Sequence, residues 1–142
     1  IPEENIHRIK GENLPEDEAL SYAEQLKNRI SLKKGWPVFD LILLGMGDDG
    51  HTASIFPNQM NLLESNRICE VATHPVSGQK RVTITGEVIN SALKICFLVT
   101  GKEKANPLKE IVNLSSEADL LPASRVQNAI WYVDLAAIQL IG

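Results

Sequence analysis

The chain is poor in the residues that bind metals or form covalent bridges. Two cysteines and three histidines are spread over 142 residues. Cys69 and Cys96 lie in apolar surroundings, Arg67-Ile68-Cys69-Glu70-Val71 and Lys94-Ile95-Cys96-Phe97-Leu98, with no metal-ligand spacing. A zinc site needs more histidine or cysteine ligands at convergent spacing than this. The two thiols read as small buried side chains rather than a disulfide or a nucleophile. No metal and no other cofactor is expected. No apolar run approaches the roughly 20 residues that span a bilayer. The opening Ile1-Pro2-Glu3-Glu4-Asn5 has neither the basic head nor the apolar stretch of a secretory leader. Basic residues are scattered, and the formal net charge is −4. Nothing therefore favours nucleic acid. These absences leave small-molecule chemistry in a cytoplasmic protein as the expectation, with no nucleic-acid or membrane partner.

The composition is that of an ordinary globular domain: 44% of residues are apolar and 23% charged. At this length the chain can bury a real core in a single domain, residues 1–142. Internal repeats, low-complexity tracts and linkers are absent from the sequence. Pro15 to Leu32 repeats its apolar residues at helical spacing (Ala19, Leu20, Ala23, Leu26, Ile30), with an acidic start, a basic end, and Gly35 and Pro37 as stops. Val38 to Leu44 is a nearly continuous apolar run, as a central strand covered on both faces requires. It breaks at Gly45-Met46-Gly47-Asp48-Asp49-Gly50, after which a short helix is expected from His51 to near Pro57. Ile68–Thr73 and Arg81–Thr85 read as strands, with Pro75 and Gly78 in the loop between them. Gly86–Ala92 reads as a helix, Ile95–Val99 as a second strongly apolar strand, and Lys102–Val112 as a helix that tolerates Pro107 only within its first turns or as a kink. Leu121–Val126 reads as a loop, Ile130–Val133 as a strand and Leu135–Leu140 as a terminal helix. Alternating strands and helices imply an α/β fold, a three-layer Rossmann-like arrangement with a mostly parallel sheet and helices on both faces. Ligands of such sheets bind beyond the carboxyl ends of the strands, which selects Gly45–His51 and Thr100–Lys104.

Gly45-x-Gly47-x-x-Gly50 after a strand matches the dinucleotide fingerprint, and Glu70 falls about twenty positions on, where a ribose-binding carboxylate is sought. Asp48 and Asp49 argue against it, because they would repel the phosphates that the loop is meant to hold. Pro57 also leaves no room for a full crossover helix. The other reading centres on His51. Glycines let a backbone approach a ligand and aim amide groups at developing negative charge. A helix start beneath His51 would help keep the imidazole neutral, and Asp49 or Asp48 would orient it as a general base for water. Spacing alone weighs that reading equally against a helix-capping aspartate beside a surface histidine. His7 and His74 read as structural, and Ser54 as a hydroxyl on the same helical face as His51.

Leu44-Gly45-Met46-Gly47-Asp48-Asp49-Gly50-His51-Thr52-Ala53-Ser54-Ile55-Phe56-Pro57 closely resembles the signature of the 6-phosphogluconolactonases. The resemblance continues in Pro2–Ile9, Lys80–Thr85, Gly101–Ala105, Leu121–Val126 and Trp131–Asp134, in the family's order. It implies hydrolysis of a sugar-phosphate lactone, 6-phospho-D-glucono-1,5-lactone, in the oxidative pentose phosphate pathway. His51 matches the family's general base and Asp49 its acidic partner. Arg81 and Lys104 match basic positions that hold phosphate or the oxyanion, beside the cradle of Gly45, Gly47 and Gly50. Glucosamine-6-phosphate deaminases share the glycine–aspartate–glycine–histidine core. They follow it with asparagine–glutamate–proline, where this chain has Ser54-Ile55-Phe56-Pro57, so the glutamate is lacking. A non-catalytic sugar-phosphate sensor on the same fold is the remaining alternative. Family members also carry a strand, a glycine–threonine-rich phosphate loop and an aspartate–glutamate–arginine segment before the part seen here. The expectation is thus a partial domain lacking the N-terminal part of the fold, with that segment a candidate partner.

Overall fold

The computed structural model describes residues 1–141. Helix α1 (Pro15–Arg29) starts with proline at its first turn, where a missing N–H costs nothing. Glu16, Asp17 and Glu18 face its positive end, and Lys27 and Arg29 its negative end. Glu18 is buried, and its carboxylate accepts the Lys10 N–H at 2.8 Å and the Asn13 side-chain amide at 2.7 Å. That acid ties the preceding segment to the helix. The helix ends earlier than the expected Leu32, because Ile30 is already extended (φ −116°, ψ 141°). Strands β1 (Leu32–Lys33) and β2 (Trp36–Pro37) follow as a small antiparallel hairpin. Its two turn residues, Lys34 (φ 54°) and Gly35 (φ 88°), are left-handed, as a tight hairpin turn requires. Gly35 and Pro37 thus build a hairpin rather than stop a helix.

Strands β3 (Ile42–Leu44), β6 (Ile95–Val99) and β7 (Ile130–Val133) form a parallel sheet in the order β3-β6-β7. The register sets Leu44 beside Phe97 and Phe97 beside Trp131. Between β3 and β6 run an antiparallel hairpin, β4 (Cys69–Thr73) with β5 (Lys80–Ile84), and helix α2 (Gly86–Asn90). Helix α3 (Ala105–Val112) joins β6 to β7. A 3₁₀ turn over Lys102–Lys104 precedes α3, so Pro107 falls in the first turn, as its geometry demands. The α/β class and the parallel sheet are those the sequence implies.

One face of the sheet packs on the main core. Ile42, Leu44, Phe97 and Val99 meet Ile55, Phe56, Ile89 and Leu108 there. Trp131 stacks on Phe97 with centroids 3.9 Å apart and planes 8° apart. The fully buried Phe56 and Phe97 rings each contribute about 1.5–3 kcal/mol of transfer free energy. A second cluster joins α1 (Ala19, Leu26) to Ile68, Cys69 and Val88. On the opposite sheet face Leu43, Leu98 and Tyr132 are 60%, 53% and 54% exposed. Both cysteines are buried and free, as expected. No described helix is long and apolar enough to cross a membrane.

Four local readings are corrected. No helix opens at His51. Gly50 (φ 79°) and Ala53 (φ 51°) turn left-handed, and Thr52 and Ile55 form an isolated antiparallel bridge. Pro57 begins a 3₁₀ segment, Pro57–Leu63, rather than ending a helix. Leu135–Leu140 forms successive turns instead of a terminal helix. Leu121–Val126, read as a loop, contains a 3₁₀ turn, Pro122–Arg125.

Candidate active site

The loop after β3 is tied back on itself. Gly47 donates its N–H to the His51 carbonyl at 2.8 Å, and Gly50 donates to the Gly47 carbonyl at 3.1 Å. The Thr52 hydroxyl donates to the Gly45 carbonyl at 2.9 Å. Beyond the loop, the Ser54 N–H is accepted by the buried Thr83 hydroxyl of β5 at 3.2 Å. Two amides expected to face a ligand, those of Gly47 and Gly50, are therefore spent on holding the loop.

Within it, one Asp49 oxygen accepts both the His51 backbone N–H at 3.0 Å and ring Nδ1 at 2.7 Å. This selects Asp49 over Asp48, which is exposed. Burial pushes the Asp49 carboxyl up, but the two bonds from His51 outweigh it and hold the group below its ordinary value. An ionised Asp49 makes Nδ1 the protonated nitrogen of a neutral ring and leaves Nε2 with a lone pair. Nε2 has no hydrogen-bond partner among the described residues. The carboxylate, not a helix terminus, is what orients this imidazole.

Gly47 is glycine because of the ring. A Cβ there would lie 2.2 Å from His51 Nδ1 and 2.6 Å from an Asp49 oxygen. Gly50 has a different reason: it is left-handed, and its Cβ would meet Leu121 at 2.8 Å. The Phe56 ring, fully buried, packs against His51 at a 4.8 Å centroid separation and against His74 at 5.2 Å.

Lys104 reaches the same place from the end of β6. Gly45, Gly47, His51, Ala53 and Lys104 line one cleft of about 360 Å³. Lys104 forms no ion pair with a carboxylate among the described residues. Arg81 lies elsewhere. It sits on β5 opposite Ala72, and its guanidinium is 5.9 Å from the Phe56 centroid. It borders a separate cavity of about 300 Å³ with Lys10, Ser54 and Lys80. Of the residues singled out from the sequence, His51, Asp49, Gly45, Gly47 and Lys104 thus converge. Gly50 supports them from below, and Arg81 touches the group only through Phe56. Ser54 is not on a helical face with His51. Thr83 and Phe56 were not expected to shape the site, since a buried hydroxyl or a shared aromatic wall leaves no periodic signal.

Fold and loop together mark a class, an α/β protein whose strand ends carry a histidine–carboxylate pair beside an unneutralised cation. Residues 1–133 match the model of the glucosamine-6-phosphate isomerases/6-phosphogluconolactonase family, and the chain belongs to that family. It is 46% identical over 145 aligned positions to a 6-phosphogluconolactonase of Haemophilus influenzae, covering 99% of this chain and 60% of the relative. The crystal structure of a protein named devB superposes with a TM-score of 0.94 at 41% identity, covering 100% of this chain and 61% of the other. A 6-phosphogluconolactonase from Thermotoga maritima superposes with a TM-score of 0.78 at 31% identity, covering 94% of this chain and 57% of the other. The chain thus spans about three fifths of the length of these relatives.

Proposed function

We propose that the chain carries the catalytic loop of a 6-phosphogluconolactonase, an esterase that hydrolyses 6-phospho-D-glucono-1,5-lactone to 6-phosphogluconate. The observation that carries the reading is the 2.7 Å Asp49–His51 bond, which leaves Nε2 free in a cleft shared with Lys104. Nε2 takes a proton from water as the water oxygen bonds to the lactone carbonyl carbon. The resulting imidazolium is stabilised by ionised Asp49. Collapse of the tetrahedral intermediate breaks the ring C–O bond, and the imidazolium returns its proton to the departing alkoxide. Lys104, with its charge uncommitted, is the group in the cleft suited to the substrate's phosphate, a contact made equally in the ground state and the transition state. Arg81, in its separate cavity, can grip an anionic group further from the reacting carbon through two parallel bonds.

The relatives' names support this chemistry. The deaminase-like alternative needs a carboxylate where this chain places Phe56, and that ring is fully buried. We take the open sheet face at Leu43, Leu98 and Tyr132, with the edge of β3 that no strand among the described residues pairs, as the seat of the remaining length that the relatives have. The intact protein, assayed for acid release from freshly made lactone with spontaneous opening subtracted, is expected to show protein-dependent turnover. It is expected to release no ammonia from glucosamine 6-phosphate. Binding of phosphorylated sugar without turnover would replace this reading with the sensor.

A further inference from the structure

The turn that delivers Lys104 to the cleft is held by Asp134, the residue that follows β7. Both Asp134 oxygens accept the Gly101 N–H at 3.1 Å, and Oδ1 also accepts the Ala137 N–H at 2.8 Å. The Asp134 N–H donates to the Val99 carbonyl at 3.3 Å, which locks the ends of β6 and β7 together. Gly101 is left-handed (φ 98°, ψ 149°), and Lys104 returns its own N–H to the Gly101 carbonyl at 3.2 Å. The direction in which the chain leaves β6, and hence where the Lys104 side chain arrives, is set at this glycine. The carboxylate that holds it is spent on backbone N–H groups and forms no ion pair with Lys104. The cation is thereby positioned without being neutralised.

We propose that Asp134 is a positioning residue for substrate affinity: by clamping Gly101 it places the Lys104 ammonium opposite His51. It does not take part in the bond-breaking step. The proposal rests on the lactonase reading. In the intact enzyme, Asp134→Ala should raise KM for the phosphorylated lactone about tenfold, the scale of one lost charged contact, with kcat within about twofold. Asp134→Asn still offers an oxygen to the Gly101 N–H and should recover most of the affinity. In a Lys104→Ala background the Asp134 change should have little further effect on KM, because the group it positions is gone.

A merely structural Asp134 would lower thermal stability and act equally in both backgrounds, and that result overturns the proposal. So does an unchanged KM in a folded Asp134→Ala enzyme. Where Asp134→Ala fails to fold, Asp134→Asn in the two backgrounds gives the same comparison with a smaller change. If the unaltered enzyme turns over no lactone, the reading of the site falls instead. Calorimetric titration with inorganic phosphate then tests the clamp alone, with binding weakened by Asp134→Ala only while Lys104 is present.

Discussion

A methyl group at Gly47 would stand 2.2 Å from His51 Nδ1, 2.4 Å from Cε1 and 2.6 Å from an Asp49 oxygen. The Gly47 backbone is not left-handed, so alanine meets an obstacle of side chains rather than of φ. What yields is the ring, and with it the 2.7 Å bond to Asp49. A hydrogen bond to a charged group contributes about 1.5–3 kcal/mol, so a ring displaced from it is productively aligned one to two orders of magnitude less often. Gly47→Ala should therefore lower kcat by about 10- to 100-fold. The pair is 26% and 37% exposed, so water competes for the freed groups and the cost to the fold lies at or below the low end of that hydrogen-bond range, about 1.5 kcal/mol. The assay is initial-rate acid release from fresh lactone alongside thermal unfolding by circular dichroism. A folded Gly47→Ala enzyme with kcat within twofold of the original would refute the claim that this ring, held in this way, does the chemistry.

Other perturbations separate support from chemistry. Gly50→Ala forces a left-handed alanine against Leu121 and should cost about 1–3 kcal/mol, lowering Tm by several degrees, while the enzyme that remains folded keeps its pH profile. Asp49 lies below its ordinary value in the fold, so its contribution to stability is present above the unfolded-state value and lost as pH falls through the folded one. The Tm gap between the original protein and Asp49→Asn should accordingly be open at pH 7 and close below about pH 4; a gap constant from pH 7 to 3 would contradict the pairing. Burial chiefly pushes the Cys69 thiol up to about 12, with Glu70 and Glu18 adding to the rise against Arg67. Thiol reagents at pH 8 should leave it untouched in the folded protein and label it only after denaturation, whereas fast native labelling would place it in an open site.

How much of this was legible in the sequence follows from what each residue depends on. The apolar runs ending at Leu44 and Val99 announced parallel strands, and the glycine loop announced a site at their ends. Apolar continuity is written for two covered faces, which is why Leu43 and Leu98 read as buried although this chain leaves them open. The helix expected at His51 failed because Thr52 commits its hydroxyl to the Gly45 carbonyl and Ala53 turns left-handed, both tertiary choices without a local signature. Pro57 was recognised as a boundary but read in the wrong direction, since proline fits the start of a helical turn as well as the residue after its end. The choice between Asp48 and Asp49 rested on which carboxylate the loop turns inward. The separation of Arg81 from Lys104 depends on the β4–β5 hairpin, whose placement no spacing encodes.

The central claim is that His51 removes a proton from water beside the bound lactone, and the rate of the intact His51→Ala enzyme tests it most directly. Measured on fresh lactone above the spontaneous background, that variant should lose about 10²- to 10⁴-fold in kcat, with its circular dichroism and Tm little changed. A folded His51→Ala enzyme that opens the lactone at the original rate would contradict the account.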